Sequence, residues 1–155
     1  MEQRRSATVQ EEIRGGPAEL ENRLIVIDTD VIIDFFSNIS PGAEVVFELI
    51  TQEKAVLTSV SVFELYAGIE GKKRLSQIET FIRDSIILPL DVIESAIAGK
   101  IYTQLKSKGH LIGTHDILIA GICLANDLPL YTKNVAHFSK IDDIQILSGE
   151  EILEE

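Results

Sequence analysis

Cysteine is nearly missing from this sequence of 155 residues; Cys123 is the only one. It cannot close an internal disulfide or build a cysteine-based zinc site, and it sits in an apolar run, a usage that fits a reducing cytosol. Long apolar stretches are missing too. No window approaches the ~18 uninterrupted apolar residues of a membrane span. The opening MEQRRSATVQEEIRGG has no apolar stretch after its arginines, so no secretory signal is expected. Basic charge is scarce: 14 lysines and arginines stand against 25 acids, for a net charge of −11. Without a general basic field to displace counterions, an avid non-specific nucleic-acid binder is excluded. An enzyme that gathers carboxylates around metal ions is not. Residues 142–155 carry six acids and no base, and such a run reads as a solvated terminus.

What is present suffices for one folded domain. A 45% hydrophobic and 25% charged content is ordinary for a globular protein, and a chain of this length buries a single core without staples. Residues 1–23 lack sustained periodicity, contain Gly15-Gly16-Pro17, and read as a flexible N-terminal extension. The domain is expected over 24–148, with an acidic C-terminal tail over 149–155.

Leu24–Ile27 is apolar on both faces and too short for a helix, the signature of a buried parallel strand. Further strands are expected at Ala55–Thr58, Ile86–Leu88, Pro129–Tyr131 and Ile144–Leu147. Helices are expected at Val31–Phe36, 43–52, Ser61–Gly71, Arg74–Asp84 and Val92–Lys108. Ile117–Ala125 is apolar nearly all round and should be a central, buried helix. Strands alternating with helices give a three-layer α/β/α sandwich with a mainly parallel central sheet of four to five strands.

In open parallel sheets ligands bind beyond the carboxyl ends of the strands. Asp28 directly follows the first strand, Glu64 follows the second by a few residues, Asp116 opens the buried helix, and Thr132 and Asn134 follow the fourth. Each has a local explanation: Asp28 as a helix N-cap, Ser61–Glu64 as a capping box, Asp116 as complement to a helix end capped by Thr114, Asn134 as a turn residue. Taken together they point elsewhere. Carboxylates crowded in one partly buried crevice repel, and each is expensive to desolvate unless protonated or paired. A divalent cation resolves the conflict. Hard oxygen ligands without cysteine select Mg²⁺ or Mn²⁺, and metal-assisted phosphoryl transfer is the default chemistry of such a site.

Three segments, IVIDTDVIIDFF, SVSVFELYAGI and GTHDILIAGICLANDLPLYTKNVAHFSKI, in that order and spacing, resemble the PIN domain, specifically the VapC-type toxin ribonucleases. The similarity covers roughly residues 24–147. The resemblance implies a metal-dependent endoribonuclease, usually dimeric and cytoplasmic, neutralised by a small cognate antitoxin. It implies Asp28, Glu64 and Asp116 as the catalytic acids and ligands of Mg²⁺ or Mn²⁺, and products with 5′-phosphate and 3′-hydroxyl ends. Thr132 resembles the hydroxyl residue that precedes the fourth motif position. That position is often Asp in the family and is Asn134 here, an uncharged candidate ligand, which bears on whether a second ion binds. Asp30 stands where the family often has Asn or Ser and is read as an accessory group.

RNA must still approach an acidic protein. The candidate phosphate contacts are Lys72, Lys73, Arg74 and Lys133, with Lys106, Lys108 and Lys140 also considered. His110, His115 and His137 are read as structural. Phe47, Phe63, Phe81 and Tyr102 are read as core or dimer-interface residues, and helix faces could meet a twin subunit or an antitoxin helix. Three alternatives stand beside this reading. One is a haloacid-dehalogenase-like phosphatase, from Asp28-Thr29-Asp30 after a strand. The second is a degenerate PIN domain kept as a binding module. The third is a PIN nuclease of RNA processing.

Overall fold

The computed structural model describes residues 23–154, so the expected N-terminal extension lies outside the described residues apart from Arg23. Strands β1 (Ile25–Ile27), β2 (Ala55–Thr58), β3 (Ile86–Leu88), β4 (Leu130–Tyr131) and β5 (Ile146–Leu147) form one sheet in the order β3-β2-β1-β4-β5. Every pairing is parallel. The helices are α1 (Thr29–Phe36), α2 (Gly42–Thr51), α3 (Ser59–Gly68), α4 (Lys72–Asp84), α5 (Val92–Ser107), α6 (Thr114–Asn126), α7 (Val135–Phe138) and α8 (Gly149–Leu153).

Successive strand residues point to opposite faces, and here both faces are covered. Val26, Val56 and Leu130 face a core built with α5 and α6. Ile27, Leu57 and Tyr131 face a second core built with α1, α2, α4 and α8. That is the expected three-layer sandwich, with apolar residues at every strand position except Thr58, the last of β2, because neither face meets water. Helix α6 is buried through Ile117, Ile119, Ala120, Gly121, Ile122 and Cys123, as its unbroken apolar sequence requires. At Gly121 an added Cβ would come within 2.8 Å of both Ala98 Cβ and the Glu94 carbonyl oxygen. The glycine is what lets α5 lie directly on α6.

Three local expectations are corrected. Helix α3 starts at Ser59 rather than Ser61, and Thr58 caps it by accepting the Ser61 N–H at 3.1 Å. Glu64 therefore takes no part in a capping box. Gly113, not Thr114, occupies the cap position of α6, with no side-chain cap bond. The acidic tail is not wholly a solvated terminus: Ser148 and Glu151 form a capping box that starts α8, and Ile152 is buried. Its acids Glu150, Glu151 and Glu154 do face solvent.

The chain runs outward from β1 through β2 to β3, then returns to β4 on the other side of β1. The switch point therefore falls between β1 and β4, where parallel sheets open a crevice at their carboxyl ends. The segments leaving these two strands meet there, and the Asp28 N–H donates to the Tyr131 carbonyl at 3.0 Å. Arg23, at the opposite end of β1, reaches Gln145 Oε1 at 3.1 Å and the Asp127 carboxylate at 3.3 Å.

Candidate active site

Asp28 is the residue at which β1 ends and α1 begins, and extended backbone angles (φ −67°, ψ 150°) make it the helix N-cap. Its Oδ1 accepts the Thr29 N–H at 2.8 Å, and its Oδ2 accepts the Thr132 hydroxyl at 2.7 Å. Both oxygens are thus fixed, and the side chain is buried. Burial, reinforced by the charges of Asp116 and Asp30, pushes its carboxyl up to about 6 against the pull of the Thr132 and Thr29 hydrogen bonds. The capping expectation holds for this residue, and the same geometry sets its carboxyl at the switch point.

Glu64 projects from α3 toward the same switch point. Its Oε1 lies 2.8 Å from Thr29 Oγ1, which lies 2.9 Å from Ser61 Oγ, itself 3.4 Å from Thr58 Oγ1. A hydroxyl has one proton to give, so Thr29 donates to the carboxylate and accepts from Ser61. The hydroxyls form a directed row from the end of β2 to Glu64. Asp116 stands in the first turn of α6, where the exposed N–H groups favour an acid. Its Oδ2 lies 3.2 Å from His137 Nδ1. The neighbouring His115 places Nδ1 3.5 Å from Glu64 Oε2 and packs edge-on against Phe63.

The sequence-derived site residues therefore meet in part. Thr132 bonds Asp28 directly, and Asp116 and Asp30 act on it through their charges, while Glu64 joins them through Thr29 and through His115, the residue before Asp116. Asn134 donates its backbone N–H to Thr132 Oγ1 at 3.0 Å and turns its side-chain amide to Asp30 at 3.5 Å. Among the described residues, no three His, Cys, Asp or Glu side chains are grouped so as to hold a metal ion. The donor chemistry nonetheless suits a hard cation. A buried carboxylate feels the charge of a second one, and among the described residues no lysine or arginine is bonded to either.

The cationic candidates are mostly engaged elsewhere. Arg74 donates to the Phe36 carbonyl at 2.6 Å and lies over the Phe36 ring. Lys106 lies over the ring of Tyr102, Lys108 pairs with Asp142 at 3.6 Å, and Lys133 sits 2.7 Å from Asp34. Lys72 and Lys73 are exposed at the start of α4. Phe47 and Phe63 are exposed rather than in the core, and Tyr102 is also mostly open. His115 and His137, read as structural, stand on the two outer acids instead. Thr29 and its hydroxyl row stand on Glu64, and for them the sequence offered only adjacency to Asp28.

The PIN domain model matches residues 25–144. This chain belongs to the PIN domain family. That membership replaces the phosphatase reading of Asp28-Thr29-Asp30. The PIN domain is 31% identical over 133 residues to Ribonuclease VapC1 of Methanocaldococcus jannaschii, covering 81% of this chain and 86% of that protein. It is 28% identical over 125 residues to the tRNA(fMet)-specific endonuclease VapC of Salmonella typhimurium, covering 78% of this chain and 94% of that one. Among solved structures, DNA-bound VapBC from Salmonella typhimurium is similar with a TM-score of 0.72 and 25% identity, over 82% of this chain and 98% of that chain.

Proposed function

We propose that this PIN domain is a VapC-type endoribonuclease that hydrolyses RNA phosphodiester bonds with Mg²⁺ or Mn²⁺, the toxin of a toxin–antitoxin pair. The observation that carries the reading is Asp28, a buried carboxylate at the switch point that feels the charge of Asp116 and, among the described residues, has hydroxyl and amide partners but no bonded base. Such a group is stable as an anion only when a cation joins it. Ribonuclease activity is supported by the curated relatives, and an antitoxin partner by the likeness to a VapBC complex.

Asp28 and Asp116, with Glu64, would hold the ion, and Asn134 offers an uncharged oxygen at the rim. A bound divalent ion supplies a water of lowered pKa and neutralises charge on the phosphate. The chain's own contributions are positional. Thr132 and the Thr29 N–H fix both oxygens of Asp28, the row Thr58–Ser61–Thr29 fixes Glu64, and His137 fixes one oxygen of Asp116. A carboxylate held on one oxygen keeps the other aimed, which is how outer partners raise the precision of a metal site. Lys72 and Lys73, exposed at the start of α4, are the cations proposed to meet RNA.

The test is RNA cleavage with Mg²⁺ or Mn²⁺ by the wild-type protein, Asp28→Asn and Asp116→Asn. Loss of roughly 10²-fold or more in both variants is expected, on the scale of removing preorganised electrostatic groups. Undiminished cleavage by both would overturn the site, and no cleavage by the wild type would favour a binding module.

A further inference from the structure

Three consecutive residues after β4 each reach α1, and each reaches a different acid. Thr132 Oγ1 donates to Asp28 at 2.7 Å, Lys133 Nζ lies 2.7 Å from Asp34 Oδ2, and the Asn134 amide lies 3.5 Å from Asp30. The outer two serve the crevice. The middle one serves a residue for which the proposed chemistry has no use.

Asp34 is out of place by composition. It lies on the buried side of α1 with Val31 and Ile32, and its side chain is only 7% exposed. Room for it depends on Gly42 at the start of α2, where an added Cβ would meet Asp34 Cβ at 3.1 Å and Oδ2 at 3.2 Å. Among the described residues Lys133 is the cation paired with it. Asp34 is buried while the Lys133 side chain is 48% exposed, and such a pair is weak evidence for added stability; its better-attested use is to fix one geometry.

The geometry fixed here is that of the loop. Thr132 Oγ1 donates to Asp28 and accepts the Asn134 N–H at 3.0 Å, so the same hydroxyl ties the loop to Asp28 and closes the turn at Asn134, and a shift of residues 132–134 would break the bond to Asp28. An ammonium that left Asp34 for a phosphate would strand a buried charge. We infer that Asp34 and Lys133 form a latch that clamps the β4–α7 loop to α1 and so positions Thr132 on Asp28, making Lys133 a positioning residue rather than a phosphate contact. The inference rests on the proposed ribonuclease function for its kinetic consequence but not for its geometry.

The test compares Asp34→Asn, Lys133→Met, Lys133→Arg and the double variant Asp34→Asn/Lys133→Met. Two things are measured: kcat and KM for RNA at two salt concentrations, and amide hydrogen exchange of Asn134 without metal or RNA. With a latch, Asp34→Asn lowers kcat roughly tenfold or more, as small misplacements of reacting groups do. KM stays within about twofold, because no phosphate contact is lost. Exchange at Asn134 speeds up in the same variant, and Lys133→Arg, which keeps the charge, recovers most of both properties. Should Lys133→Met unfold, the double variant carries no stranded charge and must show the same lowered kcat and faster exchange. The inference is overturned if Asp34→Asn keeps wild-type kcat and exchange while Lys133→Met raises KM and flattens its salt dependence, the mark of a phosphate contact. If the wild type cleaves no RNA, the proposed function fails, and the exchange measurement alone decides the latch.

Discussion

Replacing Asp28 with asparagine should strengthen the metal-free protein at neutral pH while ending its cleavage. The carboxyl titrates near 6 in the folded protein against an ordinary value of 3.8, chiefly because it is buried. The folded state thus keeps a proton that the unfolded chain has already released. The stability tied to that proton is whole below pH 3.8 and is lost as pH rises through about 6. A separation of about two pH units corresponds to ~3 kcal/mol, at 1.36 kcal/mol each. Asparagine copies the shape of the neutral acid and has no proton to lose. One of the two hydrogen bonds from Thr29 and Thr132 must rearrange, at a cost of about 1 kcal/mol that does not depend on pH. Urea denaturation in chelator at pH 4 and pH 7.5 separates these contributions. The stability of Asp28→Asn relative to wild type should improve by ~2.4 kcal/mol between the two conditions, since at pH 4 the unfolded carboxyl has already begun to ionise. Because other carboxylates titrate alike in both proteins, they cancel from the difference. An unchanged difference would refute the claim that Asp28 carries an uncompensated charge. With Mn²⁺ added, wild type should gain stability and the variant should not.

Two further changes probe the scaffold. Thr29→Val cuts the hydroxyl row between Ser61 and Glu64 and leaves a buried hydroxyl without its partner; a loss of ~1–2 kcal/mol in urea denaturation is expected, together with slower RNA cleavage. Gly121→Ala sets a methyl within 2.8 Å of Ala98 and Glu94. The helices α5 and α6 must part, and a loss of ~1–3 kcal/mol by the same assay is expected.

Much of the fold is legible in the sequence because strands covered on both faces announce themselves as unbroken apolar runs. LIVI, bounded by Arg23 and Asp28, is the plainest of them. Asp28 and Thr132 were legible for a related reason: each is the first polar residue after such a run, and a parallel sheet places those positions at one end. Glu64 was half legible. Its spacing from Ser61 imitates a capping box, and only the structure shows that Thr58 already caps the helix and frees the acid. What a chain brings together across a fold was not legible at all. His137 reaches back 21 positions to Asp116, and no local pattern marks a histidine as the neighbour of a distant carboxylate. Lys133 read as a candidate phosphate contact, because its partner is an acid hidden in α1. The tail misled in the other direction. Its charge drew attention from the Ser148–Glu151 pair and from Ile152, which together fold it onto α2 and the sheet.

The one thiol of the chain has a practical use. Cys123 is fully enclosed in the layer between the sheet and α5, and burial together with the nearby charge of Asp28 drives its ionisation far into the alkaline range. Since only the ionised sulfur attacks electrophiles, maleimides and methanethiosulfonates have nothing to modify in the native protein. Any cysteine installed on the surface becomes the single addressable handle. Spin labels or fluorophores can therefore be set on either side of the crevice without first removing a native residue.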